Sequence, residues 1–279
     1  MSFRGTAVIT GASGGIGAAY AERLARRGYD LALAGRNRAR LNKLAARICD
    51  ETSRDVQVIE GDLNDRKALA SLESFLKEDA SLSMLVNSAG VGALAPLLQA
   101  DVDEMEKMIK LNVSVLVRLT YAAAPAFVAR GKGTIINISS SVAIGPDMFN
   151  GVYGGTKAFV LAFSQSLHRE LESKGVRVQA VLPGATLTEF WSVAGMAEHN
   201  LPSEIMMPVG EMVDAALAGL ELGEFATIPS LPDTADWDAF EAARRELLSN
   251  LSLARPASRY RTKQSKEDTH GGNSGNRRQ

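Results

Sequence analysis

The sequence has one cysteine, three histidines and almost no net charge, and each scarcity excludes a class of function. The single cysteine, Cys49, rules out an internal disulfide framework and suits a reducing compartment. The histidines are scattered without metal-ligand spacing, so we predict no metal site. A formal net charge of −1 gives no reason to expect a polyanionic partner.

Long apolar runs are also missing. The most apolar long window, residues 113–129, is interrupted by Arg118 and Pro125, which argues against a membrane span. The chain opens on a strand pattern that leaves no room for a signal peptide. We therefore expect a cytoplasmic protein whose 279 residues form one large α/β domain or two small ones.

Short apolar runs alternate with helical patterns along most of the chain. Strands are predicted at 6–10, 30–34, 55–63, 82–90, 133–139, 175–184 and 225–230. Helices are predicted at 18–28, from the turn at 36–38 through Ile48, and at 64–79, 101–130, 158–175, 209–223 and 236–251. This rhythm predicts a Rossmann-type α/β fold, a doubly wound and mostly parallel seven-stranded sheet flanked by helices.

A glycine-rich turn, GASGGIG at 11–17, joins the first strand to the first helix. Glycines let the backbone turn tightly and approach a pyrophosphate, and the helix N-terminus offers it free N–H groups. The alternative is a simple turn with a glycine-rich helix cap. The position between a strand and a helix favours nucleotide binding.

Arginines follow the second strand, where dinucleotide folds meet the adenosine ribose. An acid at this place selects NAD, whereas an arginine accommodates the 2′-phosphate of NADP. The turn contains Arg36, Arg38 and Arg40 and no acid. A solvated basic helix start is the alternative, but the missing acid favours NADP.

Three further places along the chain are candidates for supporting roles: the end of the third strand, the end of the fourth strand and one position in a later helix. The third strand ends in Asp62, a candidate for the adenine edge. The fourth ends in NSAG, in which Asn87, Ala89 and Gly90 either admit the ribose or merely close a turn. Asn112 lies in an apolar helical pattern, and a buried amide there needs a partner, so it forms a cap, a kink or part of a polar network.

The segment 139–157 carries the candidate chemistry. Ser139, Ser140 and Ser141 follow the fifth strand, and Tyr153 and Lys157 lie four residues apart at a helix start, hence on one face. The charge of Lys157 would lower the pKa of the Tyr153 phenol and suit it to acid–base work on a carbonyl/alcohol pair. Alone, a Y-x-x-x-K pattern is common by chance and more often marks ordinary surface residues.

Two later segments differ in composition from the rest. Residues 186–208 mix aromatics, methionines, glycine and proline, which is typical of a mobile lid over an apolar pocket or of an irregular core-packing loop. Residues 256–279 are polar and basic without periodicity, and we expect a disordered tail. We thus predict a catalytic domain at 1–255 that includes the lid.

Together, TGASGGIG (10–17), NSAG (87–90), Asn112, Ser140, Tyr153, Lys157 and PGATLT (183–188) resemble the single-domain branch of the short-chain dehydrogenase/reductase family, over about residues 4–230. Ser140, rather than Ser139 or Ser141, fits the family's serine. Ser88 departs from the asparagine more usual there. The resemblance implies cofactor contacts from Gly11, Ser13, Gly15, Ile16, Gly17, Arg36, Asp62, Asn87, Ala89, Gly90, Tyr153, Lys157, Pro183, Gly184 and Thr188.

The resemblance also implies a reaction. Tyr153 would exchange a proton with the substrate oxygen held by Ser140, Lys157 would bind the nicotinamide ribose, and Asn112 would support a relay water. We expect an NADPH-dependent oxidoreductase for a fairly apolar ketone or aldehyde, assembled as a homodimer or homotetramer through small residues on the opposite face of the Tyr153 helix.

Three rival functions stay open at this point. One is a non-catalytic NADP-binding sensor on the same fold, against which the complete serine, tyrosine, lysine and asparagine set argues. A second is a sugar-nucleotide epimerase, which shares Y-x-x-x-K but usually spaces its glycines differently. A third is nucleic-acid binding through the basic tail, which is unlikely because only Tyr260 is available for stacking.

Overall fold

The computed structural model describes residues 3–148, 150–195 and 202–260. The backbone divides after Ser230 into two compact units. The first unit contains the sheet and every candidate site residue named above. The predicted domain end at residue 255 lies inside the second unit and stays a prediction.

The first unit is built on a seven-stranded sheet, which confirms the predicted fold class. Its strands are β1 (Thr6–Thr10), β2 (Asp30–Gly35), β3 (Val56–Glu60), β4 (Leu82–Asn87), β5 (Gly133–Ile138), β6 (Val176–Val181) and β9 (Ala226–Thr227). The spatial order is β3-β2-β1-β4-β5-β6-β9, and all the strand pairs are parallel. The chain reverses its direction of winding between β1 and β4, which is where such sheets open a crevice for ligands.

The last strand of this sheet is much shorter than the sequence predicted, because only Ala226 and Thr227 pair with β6. Residues 186–208 also contain a pairing that the sequence analysis missed. Strands β7 (Thr186–Leu187) and β8 (Met207–Pro208) form a small parallel sheet of their own.

Helices cover both faces of the sheet. They are α1 (Gly15–Arg26), α2 (Arg38–Thr52), α3 (Arg66–Glu78), α4 (Val102–Ile109), α5 (Leu116–Ala129), α6 (Gly151–Leu171), α7 (Phe190–Val193) and α8 (Val209–Leu222). Alternate strand residues face the two layers: Ala7 and Ile9 pack with α1, α2 and α8, while Val8 packs with α3, α5 and α6. Because helices cover both faces, the central strands are mostly apolar, whereas the edge strand β3 is only partly buried.

The helix predicted at 101–130 is interrupted. Between α4 and α5 the backbone forms one π-helical stretch, Lys110–Val115, which contains Asn112. By length and composition the whole segment Val102–Ala129 would pass as a membrane span. However, Leu119, Ala122 and Phe127 are buried against the sheet, as in a core helix of a globular domain.

The second unit has a helix, α9 (Thr234–Leu247), capped by the side chain of Asp233, which accepts a hydrogen bond from the Ala235 amide. A short 3₁₀ turn at Ser258–Tyr260 ends its described part. Residues 261–279, most of the predicted disordered tail, lie outside the described residues, as do residues 196–201 of the predicted lid.

Candidate active site

The glycine turn and the end of β4 meet at the crevice between β1 and β4. A Cβ on Gly11 would lie 2.9 Å from the Ala89 Cα, so only glycine permits this approach. Thr10 ties the two strand ends together, because its hydroxyl accepts hydrogen bonds from the backbone amides of Ser88 at 3.1 Å and Ala89 at 3.0 Å. Sequence reasoning did not assign a role to Thr10.

The N-terminus of α1 faces this crevice without a protein partner for its first amides. Among the described residues no side chain caps it, and its first turn contains no acid. By contrast, Asn37 caps α2 and Asp65 caps α3. Free N–H groups and the positive end of the helix dipole make α1 suited to an anion such as a pyrophosphate. The phosphate loop, residues 11–17, therefore fits a dinucleotide.

Three arginines follow β2, and the structure separates their surroundings. Arg36 lies on the cleft and is exposed. Arg38 points elsewhere, with Nη1 3.1 Å from Glu60 Oε2. Arg40 lies on the cleft and forms an ion pair with Glu189 at 2.5 Å. Arg36 is thus the arginine best placed for a 2′-phosphate.

Ten of the predicted cofactor residues line one continuous cleft: Gly11, Ser13, Gly15, Ile16, Gly17, Arg36, Asp62, Ala89, Gly90 and Thr188. Eleven other residues also line it. Gly14, Arg40 and Ser88 belong to motifs that the sequence analysis named, and Glu189, Phe190 and Val193 belong to the predicted lid. No role was assigned to Gly35, Gly61, Leu63, Val91 and Leu111. Thr188 closes the cleft opposite the phosphate loop, with its Cγ2 3.4 Å from the place a Cβ on Gly15 would take.

Five predicted cofactor residues do not line the cleft: Tyr153 and Lys157, which are described below, and Asn87, Pro183 and Gly184. The Asn87 side chain points into the core, where Nδ2 donates to Asn137 Oδ1 at 2.9 Å and to the Thr120 hydroxyl at 3.2 Å. Pro183 is buried, and its carbonyl accepts a hydrogen bond from the Ser141 amide at 2.9 Å. Gly184 follows it outside the cleft. Asn87 and Pro183 are buried and Gly184 is exposed, and none of the three is part of the cleft lining.

Tyr153 and Lys157 project from the first turns of α6. Asn150 caps this helix by accepting hydrogen bonds from the amides of Val152 and Tyr153, and its Nδ2 donates to the Ala95 carbonyl at 2.6 Å. Asn150 therefore fixes the start of the helix at the tyrosine. The sequence carried a signal for it, an asparagine directly before a helical pattern, that the sequence analysis did not use.

Ser140, Tyr153 and Lys157 come together below the end of the cleft. The Ser140 hydroxyl hydrogen bonds the Tyr153 phenol. Lys157 Nζ lies 5.8 Å from the centre of the Tyr153 ring and donates to the Ile138 carbonyl at 3.0 Å. Ser139 instead donates to the Lys157 carbonyl at 2.8 Å, and the Ser141 amide binds Pro183. Of the three serines, Ser140 is therefore the one that reaches the phenol.

The electrostatics of this group differ from the sequence prediction. Burial raises the pKa of Tyr153 to about 12, and the hydrogen bond from Ser140 only partly opposes this. Burial lowers the pKa of Lys157 to about 8. The net shift of the Tyr153 pKa is therefore upward, opposite to the predicted lowering, and the group that opposes the desolvation is Ser140 and not Lys157. The phenol is held in its neutral, proton-carrying form.

Asn112 takes part in a polar network, one of the three alternatives for a buried amide. Its Nδ2 donates to the Val91 carbonyl at 2.9 Å and to the Thr156 hydroxyl at 3.1 Å, and its Oδ1 accepts from the Val91 amide at 3.0 Å. These bonds hold the loop after β4 against α6. The π-helical turn at Lys110–Val115 carries this side chain, as such turns often do at functional sites.

Part of the predicted lid packs over the tyrosine. The Phe190 ring lies 5.7 Å from the Tyr153 ring, centre to centre, and against Gly92, where a Cβ would approach it to 2.2 Å. Trp191 is buried and its indole nitrogen donates to the Thr186 carbonyl at 2.9 Å. Closure of 186–208 over a substrate stays a prediction.

Comparison with known proteins supports this assignment of the cleft. The family model described as short chain dehydrogenase matches residues 5–198. A short-chain dehydrogenase from Sphingobium yanoikuyae, solved in complex with NADPH, is similar at 47% identity and a TM-score of 0.89, over 92% of this chain and 100% of that one.

Two further relatives concern ketone and acyl substrates. The bulky-bulky ketone specific alcohol dehydrogenase from Comamonas testosteroni is 42% identical with a TM-score of 0.85, over 93% of this chain and 99% of that one. Very-long-chain 3-oxoacyl-CoA reductase from Anas platyrhynchos is 34% identical over 67% of this chain. The match spans 62% of that relative's own length.

Proposed function

Because the chain belongs to the short-chain dehydrogenase family and is an oxidoreductase for alcohol and carbonyl groups, we propose that it reduces ketones with NADPH. The observation that carries the proposal is the hydrogen bond between Ser140 and the Tyr153 phenol, with Lys157 Nζ 5.8 Å from the centre of the same ring. A phenol that keeps its proton is the form needed to protonate a carbonyl oxygen.

The chain's own groups divide the work. The phosphate loop and Arg36 bind the anionic parts of the cofactor, and NADPH, when bound, supplies the hydride. Ser140 donates a hydrogen bond to the carbonyl oxygen and orients it toward Tyr153, whose phenol gives its proton to that oxygen as negative charge develops there. The positive charge of Lys157 stabilises the phenolate that remains after the proton transfer. Asn112 holds the loop after β4 in place.

The surroundings of Tyr153 favour an apolar substrate. Met108 and Val142 are buried beside it, and Val91, Met105 and Phe190 pack on the same cluster. A ketone with apolar groups on both sides of the carbonyl would find contacts in this cluster, which agrees with the bulky ketone specificity in the name of the Comamonas testosteroni relative. We further propose a cytoplasmic enzyme acting as a homo-oligomer.

The test compares wild type with Tyr153→Phe on a panel of linear, bulky and aromatic ketones, following NADPH consumption. Phenylalanine keeps the ring and removes the proton, so we expect turnover to fall about 10²–10⁴-fold. NADPH affinity, measured separately by fluorescence titration, should change little. Retention of more than about a tenth of the wild-type rate would contradict the role of Tyr153 as the acid.

A further inference from the structure

An ion pair crosses the cleft over the phosphate loop. Arg40 Nη1 lies 2.5 Å from Glu189 Oε2. Arg40 belongs to α2, and Glu189 directly precedes α7 on the opposite wall, beside Thr188. Each of the two paired atoms lies 3.9 Å from the position that a Cβ on Gly14 would take. The pair therefore rests against the N-terminus of α1.

This places a carboxylate where the fold is arranged for a phosphate. Among the described residues no side chain caps α1, and the Glu189 carboxylate lies beside Gly14, the residue that directly precedes the helix. An anion is stabilised at such a position by the helix dipole. Glu189 and a cofactor phosphate would compete for the same positive surroundings, namely the helix end and the Arg40 guanidinium.

The pair is also easy to open. The Arg40 and Glu189 side chains are 52% and 66% exposed. Exposed ion pairs contribute little to stability because water and salt screen them. A phosphate binds a guanidinium through stronger, charge-assisted hydrogen bonds. The pair can thus form in the cofactor-free protein and still yield to a phosphate.

We propose that Glu189 occupies Arg40 until a phosphate of the cofactor displaces it, so that Glu189 sets cofactor affinity as an internal competitor. The proposal rests on the proposed use of a nicotinamide cofactor in this cleft. Arg40 then exchanges one anion for another, and the Glu189 carboxylate must leave the N-terminus of α1. Glu189 is a positioning residue here and takes no part in the chemical step.

The experiment is a double-mutant cycle on the cofactor-free full chain, with Kd for NADPH as the readout. Glu189→Gln removes the competing charge at nearly constant size, and we expect it to tighten NADPH about two- to fivefold, the range that exposed ion pairs contribute. Arg40→Ala should weaken NADPH. In the Arg40→Ala background, Glu189→Gln should change Kd less than about 1.5-fold if the two residues act as a pair.

The matched control is Glu104→Gln. Glu104 also forms an exposed ion pair, with Lys107 at 2.5 Å, and it lies outside the cleft lining. This variant changes net charge by the same amount and should leave Kd for NADPH unchanged. Equal tightening by both substitutions would show a general charge effect and overturn the proposal.

Two other results would also overturn it. Weaker NADPH binding by Glu189→Gln would mean that the pair closes over bound cofactor as a clasp. If Glu189→Gln tightens NADPH binding by the same factor in the Arg40→Ala background as in wild type, Arg40 takes no part in the exchange.

Repeating the cycle with NADH identifies the phosphate, because both cofactors carry the diphosphate and only NADPH carries the 2′-phosphate. If wild type prefers NADH, the proposed cofactor is wrong. The cycle measured with NADH then tests whether a cofactor phosphate displaces Glu189 from Arg40.

Discussion

Burial destabilises the charged form of Lys157, and this should appear in the pH dependence of the reaction. Its pKa is lowered to about 8, so the lysine is charged below that pH and neutral above it. The pKa of Tyr153 is raised to about 12, so the phenol keeps its proton throughout the working range. A loss of reductase activity between pH 7 and pH 10 would therefore report on the lysine and not on the tyrosine.

We expect kcat/KM for NADPH in ketone reduction to fall as pH rises through about 8, because this parameter reports on groups of the free enzyme. Steady-state rates between pH 6 and pH 10 measure it. Lys157→Arg keeps its charge across this range, so the fall should disappear in whatever activity that variant retains. A wild-type kcat/KM that stays constant up to pH 10 would contradict the assignment of the fall to Lys157.

We expect the cofactor preference to depend on Arg36. It lies on the cleft directly after β2, where no carboxylate is available for a 2′-hydroxyl. A charge-assisted hydrogen bond contributes about 1.5–3 kcal/mol, so Arg36→Ala should weaken NADPH roughly 10–150-fold. Arg40 can compensate in part, which would bring the loss toward the lower figure. NADH binding should hardly change, because NADH has no 2′-phosphate.

The neighbouring arginine supplies a matched control for this measurement. Arg38 lies two residues along the same turn but pairs with Glu60 at 3.1 Å, outside the cleft lining. Arg38→Ala should therefore leave Kd for both cofactors close to wild type. If Arg36→Ala weakens NADPH and NADH equally, or if wild type prefers NADH, the NADP assignment is wrong.

At the scale of elements, the sequence predicts best what is local. The apolar strand runs and the GASGGIG turn were readable because burial on both faces and tight turning require those residue types. The π-helical turn at Lys110–Val115 was not readable, since its apolar pattern is the same as that of an α-helix. Only the packing of Asn112 against Val91 and Thr156 shows why the helix widens there.

Side-chain direction was the weaker part of the site prediction. Asn87 and Ala89 are two residues apart, yet Asn87 enters a core network and Ala89 lines the cleft. The strand ends between them, so the alternation of faces no longer fixes where the second residue points. The pairing of Arg40 with Glu189 across 149 positions has no sequence signal either, because it depends on two walls that only the fold brings together.

At the scale of the whole molecule, one face of α6 is exposed within the part of the chain that the structure describes. The face opposite Tyr153 contains Gly155 and Ala162, both exposed, with Phe159 40% exposed between them. Among the described residues nothing lies within 4 Å of a Cβ built on Gly155. We propose a second copy of the chain as the partner for this face.

A charge placed on that face should separate the subunits. We expect Ala162→Arg to shift the protein from dimer or tetramer toward monomer, because an unpaired guanidinium cannot be buried between apolar helices without a large cost. Light scattering coupled to size-exclusion chromatography measures the mass of each species over a concentration series. Ala70→Arg on the exposed side of α3 is the control, since it adds the same charge away from α6. An unchanged mass in Ala162→Arg, or a monomeric wild type, would remove α6 as the interface.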